Sequence, residues 1–78
     1  MTDLKETLCG IARAIVDNPD SVSVAEAVNG NKVTLVLSVA ESDMGMVIGK
    51  GGKIAKAIRT VIRAAANTDG KEVTVDIR

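Results

Sequence analysis

The sequence has no phenylalanine, tyrosine, tryptophan or histidine, and only one cysteine and one proline. Without aromatic rings it cannot be a nucleic-acid module that stacks bases on aromatic platforms, such as an RRM or cold-shock domain. Without histidine, imidazole acid–base catalysis and any Ser-His-Asp or Cys-His arrangement are excluded. A zinc site needs several Cys, His or carboxylate ligands at set spacings, and none is present. The lone Cys9 cannot close an internal disulfide, which fits a reducing cytoplasm, and it reads as a small packing residue. No apolar run approaches the roughly 20 residues of a membrane span. The N-terminal stretch "MTDLKETLCGIARAIV" has charges spread through it and lacks the apolar core of a signal peptide. The carboxylates are scattered, so an enzyme is not expected, and no cofactor or metal is implied.

What is present fits one small α+β domain over residues 1–78. Hydrophobic residues make up 46% of the chain, enough for a core, which must be aliphatic. A domain of this size buries only about 60% of its unfolded surface, so its stability margin is thin and a partner would help. The net charge of zero hides an asymmetry. Between Asp43 and Asp69 stand Lys50, Lys53, Lys56, Arg59 and Arg63 with no acid, while the rest of the chain sets five bases against ten acids, a net of −5. Any surface that faces a polyanion is therefore local.

The pattern predicts six elements in the order α-β-β-α-α-β. Residues 3–17 read as a helix with Asp3 and Glu6 as a capping pair and Leu4, Leu8, Ile11 and Ile15 as its apolar stripe. Asn18-Pro19 ends it. "SVSVAEAV" places Val22, Val24 and Val28 on one parity, shared by Glu26. "NKVTLVLSV" places Val33, Leu35, Leu37 and Val39 on one face, and Asn29-Gly30 between the two predicts a hairpin. "ESDMGMVIG" reads as a short helix with Ser42 as N-cap and Asp43 on the positive end of its dipole. A longer helix over 52–66 carries Ile54, Ile58, Val61, Ile62 and Ala65 on its core face and Lys53, Lys56, Arg59 and Arg63 on the other. Ile48 and Ile54 are expected to be core residues first, and Met44 and Met46 to fill gaps. "NTDG" stops the helix, and "KEVTVDIR" forms a last strand with Val73, Val75 and Ile77 on one side. The helices are expected on one face of a three-stranded sheet. The first two strands pair antiparallel; the place of the third does not follow from pattern.

The informative stretch is "MGMVIGKGGKIAKAIRT", residues 44–60. It is not a P-loop: only three residues separate Gly45 from Gly49, and Lys50 is followed by Gly51 in place of the magnesium-binding hydroxyl. It is not a dinucleotide fingerprint, since residue 54 is isoleucine. What remains is Gly49-Lys50-Gly51-Gly52, a G-x-x-G loop between two helices. Glycines at both ends permit a sharp turn and a close approach of backbone to a sugar-phosphate chain. The loop leads into a helix N-terminus that favours an anion, with Lys50 at its tip and Lys53 in the first turn. A simple helix–helix turn is the plainer reading of the same glycines.

"VIGKGG" fits the V-I-G-x-x-G motif of KH domains, whose loop clamps the backbone of about four nucleotides. Its setting between two helices, with an extra helix and strand before it, resembles the type II KH fold over nearly the whole chain. "SDMGMVIGKGGKIAKAIRTVIRAAA" resembles the KhpA family of small stand-alone bacterial KH proteins. The resemblance implies binding of single-stranded RNA through Ile48, Gly49, Lys50, Gly51, Gly52, Lys53, Lys56 and Arg59. It places the short helix from Met44 to Ile48 along one wall of the groove and an unassigned sheet edge along the other. It further implies a post-transcriptional regulator or RNA chaperone linked to cell elongation and division. The family forms homodimers and pairs with a larger KH protein of the Jag type. An alternative is a protein-interaction subunit that acts mainly by dimerising with another KH protein. With few base-reading side chains, low sequence specificity is expected.

Overall fold

The computed structural model describes residues 3–78. Three helices, α1 (Leu4–Ile15), α2 (Met44–Ile48) and α3 (Lys53–Thr68), lie over one face of a sheet made of β1 (Ser23–Asn29), β2 (Lys32–Ser38) and β3 (Glu72–Ile77). The sheet order is β1-β2-β3. β1 and β2 are antiparallel, paired from Ser23 with Ser38 to Asn29 with Lys32. β3 runs parallel to β2, paired from Lys32 with Glu72 to Leu37 with Ile77. That settles the strand whose place the pattern left open. The mixed sheet with helices on one face is the type II KH arrangement.

The helix ends follow local chemistry. Asp3 caps α1 by accepting from the Glu6 amide at 3.1 Å. α3 closes in a Schellman motif: Lys71 N donates to Ala66 O (2.9 Å) and Gly70 N to Asn67 O (3.0 Å), with Gly70 at φ 69°. α1 stops at Ile15, before Asn18-Pro19, and Pro19 opens a 3-10 turn instead. The hairpin turn is Gly30-Asn31, one residue later than expected, because Asn29 pairs with Lys32 and only Gly30 takes positive φ.

The core is wholly aliphatic: Leu4, Leu8 and Ala12 of α1, Val24, Val33, Leu35, Leu37 and Val75 of the sheet, Val47 of α2, and Ile58, Ile62 and Ala66 of α3. Cys9 packs against it from the side. Several expected core positions are not in it. On α3 the buried line is Ala55, Ile58, Ile62 and Ala66, while Ile54 and Val61 are 39% and 52% exposed. The alanines let the helix approach its neighbours closely, which turns the bulkier Ile54 and Val61 onto a flank. On α1, Ala12 is fully buried together with Leu8, while Ile11 and Ile15 are only partly buried, for the same reason. Val28 shares the parity of Val24 but is 59% exposed, since no helix covers that end of β1. Ile48 and Met46, at the open end of α2, are also exposed, whereas Met44 packs against the core.

Asp43 is the one buried charged side chain among the described residues. Ser42, the expected N-cap, lies inside a 3-10 turn (Glu41–Asp43), and Asp43 takes the cap position of α2 without a side-chain bond to that helix. Its carboxylate turns the other way. Oδ2 accepts from Asn18 N and Asn18 Nδ2, both at 3.0 Å, and Oδ1 from Asp17 N at 3.3 Å. The chain leaving α1 is thereby fastened to the head of α2. A buried carboxylate removed from three donors leaves them unpaired. Asp43→Ala is therefore expected to cost roughly 2–4 kcal/mol in urea-melt stability, and Asp43→Asn, which keeps one acceptor, less.

Candidate nucleic-acid interface

The corner between α2 and α3 is built by glycine. Gly49 N donates to Gly45 O at 2.8 Å and closes α2. Gly49 then turns to φ 75°, ψ 174°, a region open essentially to glycine alone. A Cβ there would also collide with Ile54, standing 2.9 Å from its Cβ and nearer still to Cγ1. Gly51 and Gly52 are left-handed at φ 66° and 77°, but a Cβ on either meets open space. Lys50–Gly52 forms one 3-10 turn, and Gly52 caps α3 with no side chain over its first amides. Lys50 and Lys53 are both exposed beside this bare helix end.

α3 has two unlike flanks beside its buried line. Lys56, Arg59 and Arg63 lie toward β3. Arg59 is partly buried, and its Nε donates to Val75 O at 3.1 Å, so the guanidinium sits across the seam between helix and strand. Four of its five N–H donors remain for other partners. The edge of β3 thus runs along this flank of α3, beside Arg59. That edge had no signal in the sequence, because β3 stands next to α3 only through the parallel pairing with β2. The other flank of α3 is aliphatic. Ile54, Ala57, Ile58 and Val61 line a shallow groove of about 430 Å³ with Ile11 and Ile15 of α1.

Each residue picked out from the motif therefore has a definite place. Gly49, Lys50, Gly51 and Gly52 form the corner; Lys53 opens α3; Lys56 and Arg59 stand on its β3 flank. Ile48 ends α2 and is 38% exposed beside the corner. No group of three or more metal-ligating side chains occurs among the described residues. Among the described residues, no helix is long and apolar enough to cross a membrane.

The family model for the KhpA/KhpB KH domain matches residues 5–77. The chain belongs to the KhpA family of KH-domain proteins. It is 53% identical to the RNA-binding protein KhpA of Clostridium acetobutylicum, over 95% of this chain and 99% of that one. It is 43% identical to the RNA-binding protein KhpA of Bacillus subtilis, over 99% and 98%. Its fold is also similar to part of Era, as seen in a crystal structure with MgGDPNP and nucleotides 1506–1542 of 16S ribosomal RNA. That match has a TM-score of 0.68 at 21% identity and covers 95% of this chain but 28% of Era's. The KH domain is a binding module, and the protein is not an enzyme.

Within this KH domain the three loop glycines are not equivalent. Gly49→Ala meets both a forbidden backbone region and Ile54, whereas Gly51→Ala meets only left-handed strain of roughly 1–2 kcal/mol. In parallel urea melts Gly49→Ala is expected to lose at least twice the stability that Gly51→Ala loses.

Proposed function

We propose that the protein binds single-stranded RNA in the cytoplasm as a single KH unit, by holding the sugar-phosphate backbone at the Gly49–Gly52 corner. The observation that carries this is the corner itself: a turn only glycine can make, opening onto an uncapped helix end flanked by Lys50 and Lys53. Backbone N–H groups at a helix start and the helix dipole favour an anion, and the missing side chains let a phosphate come close. Lys56 and Arg59 extend the positive surface along α3, and Ile48 offers an apolar contact beside the corner. The names of the relatives, RNA-binding protein KhpA, agree with this reading.

Lys50→Asp together with Gly51→Asp puts two negative charges where phosphate would sit. The double variant should keep its circular dichroism spectrum and lose crosslinking to cellular RNA. A folded double variant that crosslinks as well as the wild type contradicts the clamp. Capture of two or three phosphates corresponds to a log–log salt slope of about −1.4 to −2, using about −0.7 per phosphate of single-stranded nucleic acid.

A second task, self-association or pairing with a larger KH protein of the Jag type, is favoured by the aliphatic groove on the opposite flank of α3. Val61, at its rim, is 52% exposed. A small core with a thin margin gains from covering such a groove. Two clamps in one assembly raise affinity through effective concentration, without a new contact to RNA. A role in post-transcriptional regulation or RNA chaperoning, linked to cell elongation and division, fits a weak clamp made bivalent in this way. Val61→Asp is expected to yield monomers in sedimentation analysis while leaving the Gly49–Gly52 corner intact. Wild-type protein that is monomeric at high micromolar concentration and gains no mass with its partner contradicts this second task.

A further inference from the structure

The sheet has two edges: β3, which packs beside α3, and β1 on the far side. The main chain of β1 can be followed bond by bond. Asn29 and Lys32 face each other across a two-residue turn, so they exchange both main-chain hydrogen bonds. The alternation of an antiparallel ladder then turns the N–H and C=O groups of Ser23, Ala25, Ala27 and Asn29 toward β2. Those of Val24, Glu26 and Val28 point away from the sheet. Among the described residues they carry no hydrogen bond.

The side chains of the same three residues lie on the helix-covered face, where Glu26 is the cross-strand neighbour of the fully buried Leu35. Val24 is buried, and Glu26 and Val28 are exposed. Among the described residues the Glu26 carboxylate makes no ion pair and no hydrogen bond. An unpaired charge thus stands between two valines on a bare strand edge. Over the Val24 end, α1 leaves a hollow of about 460 Å³ whose lining includes Cys9, Gly10, Arg13 and Val24. Gly10 keeps it open, since a Cβ there would meet nothing. A strand added to β1 would run about 4.8 Å outside it. That brings its side chain opposite Val24 to the mouth of this hollow.

We propose that the outer edge of β1 is a strand-addition site for an extended segment of a partner protein, with a basic residue opposite Glu26 and apolar residues opposite Val24 and Val28. In such pairing main-chain bonds supply the attraction and alternate side chains the selectivity. A cation directly across from Glu26 is favourable, and a second carboxylate is not. A second copy of this chain therefore fits badly. Antiparallel pairing of two β1 strands with Val24 against Val28 sets the two Glu26 carboxylates face to face, and a two-residue shift sets each carboxylate against a valine. An inward-facing charge of this kind keeps an edge from pairing with its own kind. Because β1 and β3 are opposite edges, the site does not depend on the RNA-binding reading and leaves the α3–β3 seam open.

The test titrates the ¹⁵N-labelled full chain with two capped heptapeptides and follows amide chemical shifts. One peptide alternates threonine with valine, lysine and valine; its twin has glutamate in place of lysine. The lysine peptide should move the amides of Val24, Glu26 and Val28 most and bind about fivefold tighter than its twin. In Glu26→Lys, an exposed substitution that should leave the circular dichroism spectrum unchanged, the order of the two peptides should reverse. Methylating the lysine's backbone nitrogen removes a strand bond and should abolish binding. Equal affinity for the two peptides, an order that Glu26→Lys leaves as it was, or binding that survives the methylation overturns the site. So does a lysine peptide that leaves those three amides unmoved. Shifts at the same amides that grow with protein concentration alone give the edge to a second copy, and overturn it as well.

Discussion

The fit of Gly49 against Ile54 is the constraint on which the corner depends. α2 must end, reverse and hand over to α3 within four residues, and it does so in a backbone region closed to side chains. Ile54 fills the space where a Cβ would stand, which fixes the angle at which the two helices meet. Asp43 secures the other end of α2 by holding the amides of Asp17 and Asn18. Five residues of helix are too few to hold their own position. Pinned at both ends, α2 presents the corner as a fixed surface.

Ile54 also belongs to the aliphatic groove between α1 and α3. One side of its side chain meets Gly49 and the other faces the surface proposed for a partner. α3 therefore carries two unlike surfaces: Lys56, Arg59 and Arg63 toward β3, and Ile54, Ala57 and Val61 toward α1. With a net charge of zero, such a protein does not attract polyanions over its whole surface. The acid-free run from Lys50 to Arg63 concentrates the positive charge where the backbone is barest.

The element order and the corner were legible in the sequence because each rests on local chemistry. Glycine spacing, the Asp3 cap, the alternation of Val33, Leu35 and Leu37 and the break at Asn67–Gly70 all act within a few residues. The faces of the helices were harder to read. Hydrophobicity alone favours Ile54 and Val61 over Ala55 and Ala66, yet close packing against neighbouring elements selects the alanines. Asp43 read as a dipole partner for α2, because its real partners lie 25 and 26 residues away. The seam between α3 and β3 was not legible at all: Arg59 and Val75 meet only once β3 has paired parallel to β2.

The central claim is that RNA lies along the corner and the α3–β3 seam. It is tested most directly by titrating ¹⁵N-labelled protein with a short single-stranded RNA and following amide chemical shifts residue by residue. The account predicts the largest changes at Gly49–Lys53, next along Lys56, Arg59 and the edge of β3, with α1 and β1 nearly unmoved. Largest changes on the outer face of α1 or along β1, with Gly49–Lys53 unmoved, would contradict it.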